Sequence, residues 1–135
     1  MSADAVTLAD IASADWSLKL DNLGAVVQGI DDVQQCIAII LTTPPGSDPL
    51  RPTFGADLWS YLDRPISAAI PSIVKEVTAA IVKWEPRVVL ESVAVSPAND
   101  TSSQGDAHLN ISITWRLALG ASPSNTTTIA IPGGI

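Results

Sequence analysis

The stretch Trp84-Glu85-Pro86-Arg87-Val88 constrains the fold more than any other part of this chain. Behind it, Ile66, Ile70, Ile73, Val77, Ile81 and Trp84 recur three or four residues apart, which gathers them on one side of an α-helix. Pro86 ends that helix, because the residue before a proline is pushed out of helical geometry. From Val88 onward the apolar period changes to two, the period of a strand. The pattern predicts a helix over 66–84, kinked at Pro71, then a sharp corner into a strand. A carboxylate in the last helical turn opposes the helix dipole, which favours cations there. Glu85 therefore requires a cationic partner: either Arg87 is that partner, or both residues reach to another chain.

The remaining elements follow from similar patterns. Trp16, Leu18 and Leu20 alternate with polar residues, the mark of a short half-buried strand. Asn22-Leu23-Gly24 turns it into a second short strand over 25–30. Asp31, with Gln34 three residues on, forms a capping-box pattern. The helix it starts runs to about Thr42 with Val33, Ile37, Ile40 and Leu41 facing inward. Residues 43–56 hold four of the ten prolines and two of the eight glycines, a stiff loop that fixes Arg51 and Phe54 in place. Leu58, Trp59 and Leu62 suggest a helical turn. Residues 88–95 are apolar on both faces and read as a central strand, followed by a hairpin loop over 97–107. Leu109 to Leu119 is the clearest strand in the chain, and 126–131 is a short edge strand. The fold class is α+β: two main helices packed on a small, mainly antiparallel sheet in a single domain over 15–135, preceded by an acidic tail over 1–14.

Composition excludes several functions. The net charge of −7 repels phosphate, so nucleic acid is not a partner. The charge is uneven: residues 1–32 carry six acids against Lys19, while residues 51–91 balance five bases with five acids. The neutral middle is the part suited to meeting other protein. The longest apolar run, six residues around Ile39, is far short of the ~20 needed for a membrane helix, so no membrane is implied. One cysteine, Cys36, reads as a buried thiol in a reducing cytoplasm. One His and one Cys far apart argue against a metal site, and no phosphate loop or nucleophile motif points to a cofactor. Asp57, Asp63, Glu76, Glu85 and Glu91 are the raw material for a glycosidase, which needs two carboxyls flanking the bond, but no spacing selects a pair.

In order, these residues resemble a known family. A helix ends in Ile40-Leu41-Thr42-Thr43; Pro45-Gly46 follows, then Arg51-Pro52-Thr53-Phe54-Gly55-Ala56-Asp57-Leu58, then a long helix closed by Trp84-Glu85-Pro86-Arg87-Val88. The arrangement, over about residues 25–95, is similar to that of the baseplate wedge proteins of contractile phage tails, the sheath-initiator family. That family also includes a baseplate subunit of type VI secretion systems and is sometimes labelled lysozyme-like. The proline-rich loop looks most like versions in phages of the Mu and P2 type. Many members have Gly-Glu-Arg where this chain has Gly46-Ser47-Asp48; Arg51 stands as the replacement arginine.

The resemblance implies a structural, non-enzymatic protein of the virion, assembled in the bacterial host cytoplasm, that joins the wedge to the first sheath ring. Implied partners are other wedge proteins, the tail sheath protein, and tube or hub proteins. Glu85, Pro86 and Arg87 are implied to dock on the wedge's helical core, and Arg51 and Phe54 are further expected partner-binding residues. Thr128, Ile129 and Ala130, on the edge strand, are the expected place for a sheath strand to pair. The competing reading is a small muramidase of the tail.

Overall fold

The structure is a computed structural model that describes residues 16–20, 22–61, 63–98, 108–119 and 122–132. The expected acidic tail over 1–14 and most of the expected loop over 97–107 lie outside the described residues. The described elements are two α-helices and two antiparallel sheets of two and three strands, an α+β fold as the sequence implies. The chain divides into two compact units, residues 1–36 and 37–135, with the division inside the first helix.

In the first unit, β1 (Trp16–Leu18) pairs antiparallel with β2 (Val26–Gln28). The alternation of β1 is real, but its apolar side faces solvent: Trp16 and Leu18 are exposed, as is Leu20 beyond the strand. Polar bonds to α1 (Ile30–Thr42) explain the inversion. The Ser17 hydroxyl donates to the buried Asp32 carboxylate. The Gln35 amide donates to the Leu18 carbonyl at 2.8 Å and accepts from the Leu20 N–H at 3.2 Å. Asp31 is not the N-cap. The helix begins earlier, at Ile30, because the carbonyl of Gly29 (φ +62°) accepts from the Val33 N–H at 3.2 Å. Asp31 and Asp32 thus fall in the first turn, where the helix dipole favours carboxylates. Cys36 is half-buried rather than fully enclosed.

In the second unit, the expected inward residues Ile37, Ile40 and Leu41 of α1 are buried. The long helix α2 (Ile66–Trp84) spans the expected residues and continues through Pro71. Its buried face is Ala69, Ile73, Val77, Ala80 and Ile81. Ile66 is exposed at the helix start, so the two alanines complete the inward stripe instead. The expected helical turn is a 3-10 turn over Trp59–Tyr61.

The three-stranded sheet has the order β3 (Val88–Ala98), β4 (His108–Leu117), β5 (Asn125–Pro132), antiparallel throughout. The strand at 88–98 is therefore an edge and not central; β4 holds the centre. Its apolar look on both faces has a specific cause. The pairing with β4 slips between Leu90 and Ser92, so Val88 and Leu90 lie opposite Leu117 and Trp115, while Val93 and Val95 lie opposite Ile113 and Ile111. A bulge at Glu91 thus puts Val88, Leu90, Val93 and Val95 on one face despite their opposite parity. That face carries the buried Leu109, Ile111, Ile113 and Trp115 of β4 and Ile129 and Ile131 of β5, and α2 packs along it at β3. Trp115 is fully buried, and its indole N–H donates to the Thr127 hydroxyl at 2.9 Å.

Candidate functional site

The corner after α2 is a closed ion pair. The Glu85 N–H still donates to the Ile81 carbonyl at 2.8 Å, which holds the residue at the helix end. Its side chain is almost wholly buried. Arg87 meets it along one guanidinium edge: Nε donates to Oε1 at 2.7 Å and Nη2 to Oε2 at 2.9 Å. Such bidentate pairing is the strong form of a carboxylate–guanidinium contact. Arg87 is thus the cationic partner that Glu85 requires, within its own chain. Pro86 lies exposed between them, and the Arg87 carbonyl accepts from the Ala118 N–H at 2.8 Å, tying the corner to the end of β4.

The loop over 43–56 is clipped beside this corner. The Ala56 N–H donates to the Thr43 carbonyl at 3.1 Å, and the Gly46 N–H to the Pro52 carbonyl at 2.8 Å. Gly55 makes the closure possible: it has φ +113°, and a Cβ there would lie 2.0 Å from the Thr43 carbonyl oxygen. Only glycine fits such an approach. The loop then stacks on the helix end. The Arg51 guanidinium sits 4.0 Å from the centre of the Phe54 ring. Phe54 meets Trp84 edge-on at 5.1 Å, and Lys83 lies 4.9 Å from the Trp84 ring. Lys83 Nζ also donates to the Thr53 hydroxyl at 3.3 Å. Asp48 accepts from the Leu50 N–H and from Arg51 Nε, each at 3.0 Å, and these two bonds, the first above all, hold its carboxyl below the usual range.

The structure thus brings Arg51, Phe54, Glu85, Pro86 and Arg87 to one end of α2. Thr128, Ile129 and Ala130 lie apart from them on β5, the strand at the other edge of the sheet from β3, with Thr128 and Ala130 exposed and Ile129 buried. Sequence reasoning did not single out Asp48, Lys83 or Trp84 as parts of the cluster. The Asp48–Arg51 spacing in a proline-rich loop was the available signal, since a short acidic side chain there can bond backbone N–H groups just ahead.

Four of the five carboxylates considered for catalysis are engaged locally. Glu85 binds Arg87; Glu91 accepts from the Ser124 hydroxyl at 2.7 Å and lies 3.6 Å from Arg116 Nε. Asp57 accepts from the Ser60 hydroxyl at 2.9 Å, while Glu76 accepts from the Asp57 N–H at 3.2 Å.

The family model described as baseplate wedge protein gp25 matches residues 27–121. The chain belongs to that family. Its gp25-type sequence is 37% identical over 78 residues to baseplate protein W of Escherichia phage P2, spanning 57% of this chain and 68% of that protein. The gp25 fold is also similar to solved structures. A Geobacter sulfurreducens protein bearing the name tail lysozyme aligns with TM-score 0.62 and 29% identity, over 77% of this chain and 90% of that one. A chain of the pyocin R2 baseplate in its postcontracted state aligns with TM-score 0.57 and 26% identity, over 72% and 93%. A chain of the anti-feeding prophage baseplate shares the fold at TM-score 0.61 and 22% identity, over 81% and 85%. The resemblance drawn from the motifs is borne out. As a gp25-family wedge protein, the chain is a structural component of a contractile-tail baseplate and resides in the virion tail.

Proposed function

We propose that this wedge protein joins the baseplate wedge to the first ring of the tail sheath and initiates sheath assembly, without hydrolysing cell wall. The wedge side is the α2 end, where exposed Arg51 and Pro86 and half-buried Arg87 are held in place by buried Phe54 and Glu85. The sheath side is the edge strand β5 at Thr128, Ile129 and Ala130. The observation that carries the reading is the position of β5: it pairs only with β4 among the described strands, so one row of its N–H and C=O groups faces away from the sheet. An unpaired edge invites a strand from another chain. Backbone pairing is indifferent to side-chain identity, which suits a subunit that must template a ring of unlike protein. Against the muramidase reading stand the structural bonds already made by Asp57, Glu76, Glu85 and Glu91.

Neighbouring residues on a strand point their N–H groups to opposite sides, so Thr127→Pro and Thr128→Pro separate the two rows. The one that removes a donor to β4 lowers the melting temperature. The other gives tails without sheath and keeps the melt of its control, which is the unsubstituted protein for Thr128→Pro and Thr127→Val for Thr127→Pro, since the Thr127 hydroxyl also holds the Trp115 indole. Normal sheaths on tails carrying the variant that keeps its control's melt would refute the docking of sheath at β5. A turbidity assay on peptidoglycan tests the enzymatic side; clearing that is lost in a folded Glu76→Gln variant would restore the muramidase.

A further inference from the structure

Among the described residues, four of the ten large apolar side chains left exposed fall in one short stretch: Trp16, Leu18, Leu20 and Leu23. Single exposed apolar residues are ordinary, whereas a cluster of them marks a binding face. This cluster is held outward by its own strand. The polar side of β1 is fastened to α1: Ser17 donates to the buried Asp32, and Gln35 Nε2 donates to the Ser17 hydroxyl at 3.2 Å. Trp16 and Leu18 alternate with Ser17 and so point the other way, into solvent, and Leu20 continues the row. Leu23 stands in the turn, where the Ala25 N–H donates to the Asn22 carbonyl at 3.2 Å. An apolar row already fixed in place loses little entropy when it docks. The docking must use side chains. The Leu18 carbonyl and the Leu20 N–H are both taken by the Gln35 amide, so this stretch of backbone is not open to a guest strand.

We propose that the β1 hairpin seats an amphipathic helix of a different protein, whose apolar stripe covers Trp16, Leu18 and Leu20 and whose flanks carry lysine and arginine. The row from Trp16 to Leu20 is about 13 Å long, the length of about two and a half helical turns. Charge selects the flanks. Asp15 and Asp21 border the row in sequence, and Asp31 is exposed in the first turn of α1. Lys19 is the one base in the first 32 residues, against six acids. The same charge argues against a second copy, which would set two such acidic faces together. It also argues against residues 1–14 of this chain, which hold Asp4 and Asp10 and no lysine or arginine. The hairpin belongs to the unit over 1–36, whereas the wedge and sheath sides belong to the unit over 37–135, so this inference stands apart from both.

The test uses the full chain and a synthetic peptide of about fifteen residues, with leucines three and four apart and lysines elsewhere. Amide shifts at residues 16–20 should saturate, and glutamate in place of every lysine should weaken binding about tenfold or more. Leu18→Ser should weaken it about tenfold with an unchanged melt, since Leu18 is 61% exposed in the free protein. Leu119→Ser, at an exposed leucine of the other unit, should change nothing. In assembled tails, a photoreactive side chain in place of Leu23 should cross-link a segment of another protein that carries lysine or arginine beside apolar residues. The proposal is overturned by shifts that saturate elsewhere, by no shifts at millimolar peptide, by equal binding of the two peptides, or by equal effects of Leu18→Ser and Leu119→Ser. Any other result in the tails, including no cross-link or one to a second copy or to residues 1–14, overturns it as well.

Discussion

Replacing Arg87 with alanine is expected to destabilise the isolated protein as well as any docking it supports. Were the Glu85–Arg87 pair on the surface, its loss would cost ~0–1 kcal/mol. The geometry is different: the Glu85 side chain is 4% exposed and the Arg87 side chain 29%. Removing one partner of a buried pair costs about 3–5 kcal/mol, because the other charge is left without compensation. The partial exposure of Arg87 admits some water to the vacated site, so about 2–3 kcal/mol is the expected loss. For a chain of this size that corresponds to a fall in Tm of about 8–12 °C, at about 4 °C per kcal/mol. Urea unfolding followed by tryptophan fluorescence measures it directly. The decisive comparison is with the double variant Glu85→Gln/Arg87→Ala. It buries no charge, so it should be more stable than Arg87→Ala alone. A single variant that loses less than about 0.5 kcal/mol would refute the reasoning, since the carboxylate would then be solvated well enough to need no partner. A double variant as unstable as the summed singles would refute the coupling.

Gly55→Ala should cost about 3 kcal/mol or more, or leave no soluble protein, since its Cβ would collide with the Thr43 carbonyl; an unchanged melt would mean that the loop can open there. Thr127→Val strands the buried Trp115 indole N–H and should cost about 1–3 kcal/mol in urea unfolding, more than the same change at exposed Thr126. For Asp48, whose carboxyl is held low in the folded state, the contribution to stability is full above its unfolded pKa and is lost as pH falls through the lower folded value. The Leu50 amide shift should therefore titrate with a midpoint below that of an unstructured aspartate peptide.

The corner, the long helix and the β4 pattern could be read from residue spacing because each is a local periodicity ended by a proline or a turn. The Glu85–Arg87 pair was legible for the same reason: its partners are two residues apart. Features that depend on distant contacts were not. Whether Trp16 and Leu18 face inward depends on where Asp32 and Gln35 sit, in bonds that span 15 and 17 residues. The stack of Arg51, Phe54 and Trp84 joins a loop to a helix end about 30 residues on, and no local pattern encodes that meeting. The edge position of β3 was missed: the strand was read as central. Its apolar residues change parity between Leu90 and Val93, which is the trace a bulge leaves in a sequence; a uniformly buried strand would show no such break.

That bulge also bears on how the subunit survives before it is assembled. A sheet with two open edges is a template for indefinite stacking of like chains. Here the register breaks at Glu91 on one edge, and both edges end in a residue without an N–H, Pro97 near the end of β3 and Pro132 at the end of β5. A guest strand can therefore pair over only a few residues before the ladder is interrupted. Short pairing is enough for a partner that also brings fitted side chains, and too little for a fibril that relies on backbone bonds alone. The irregularity that hid this strand's place from its sequence also shortens the run over which one free subunit can template another.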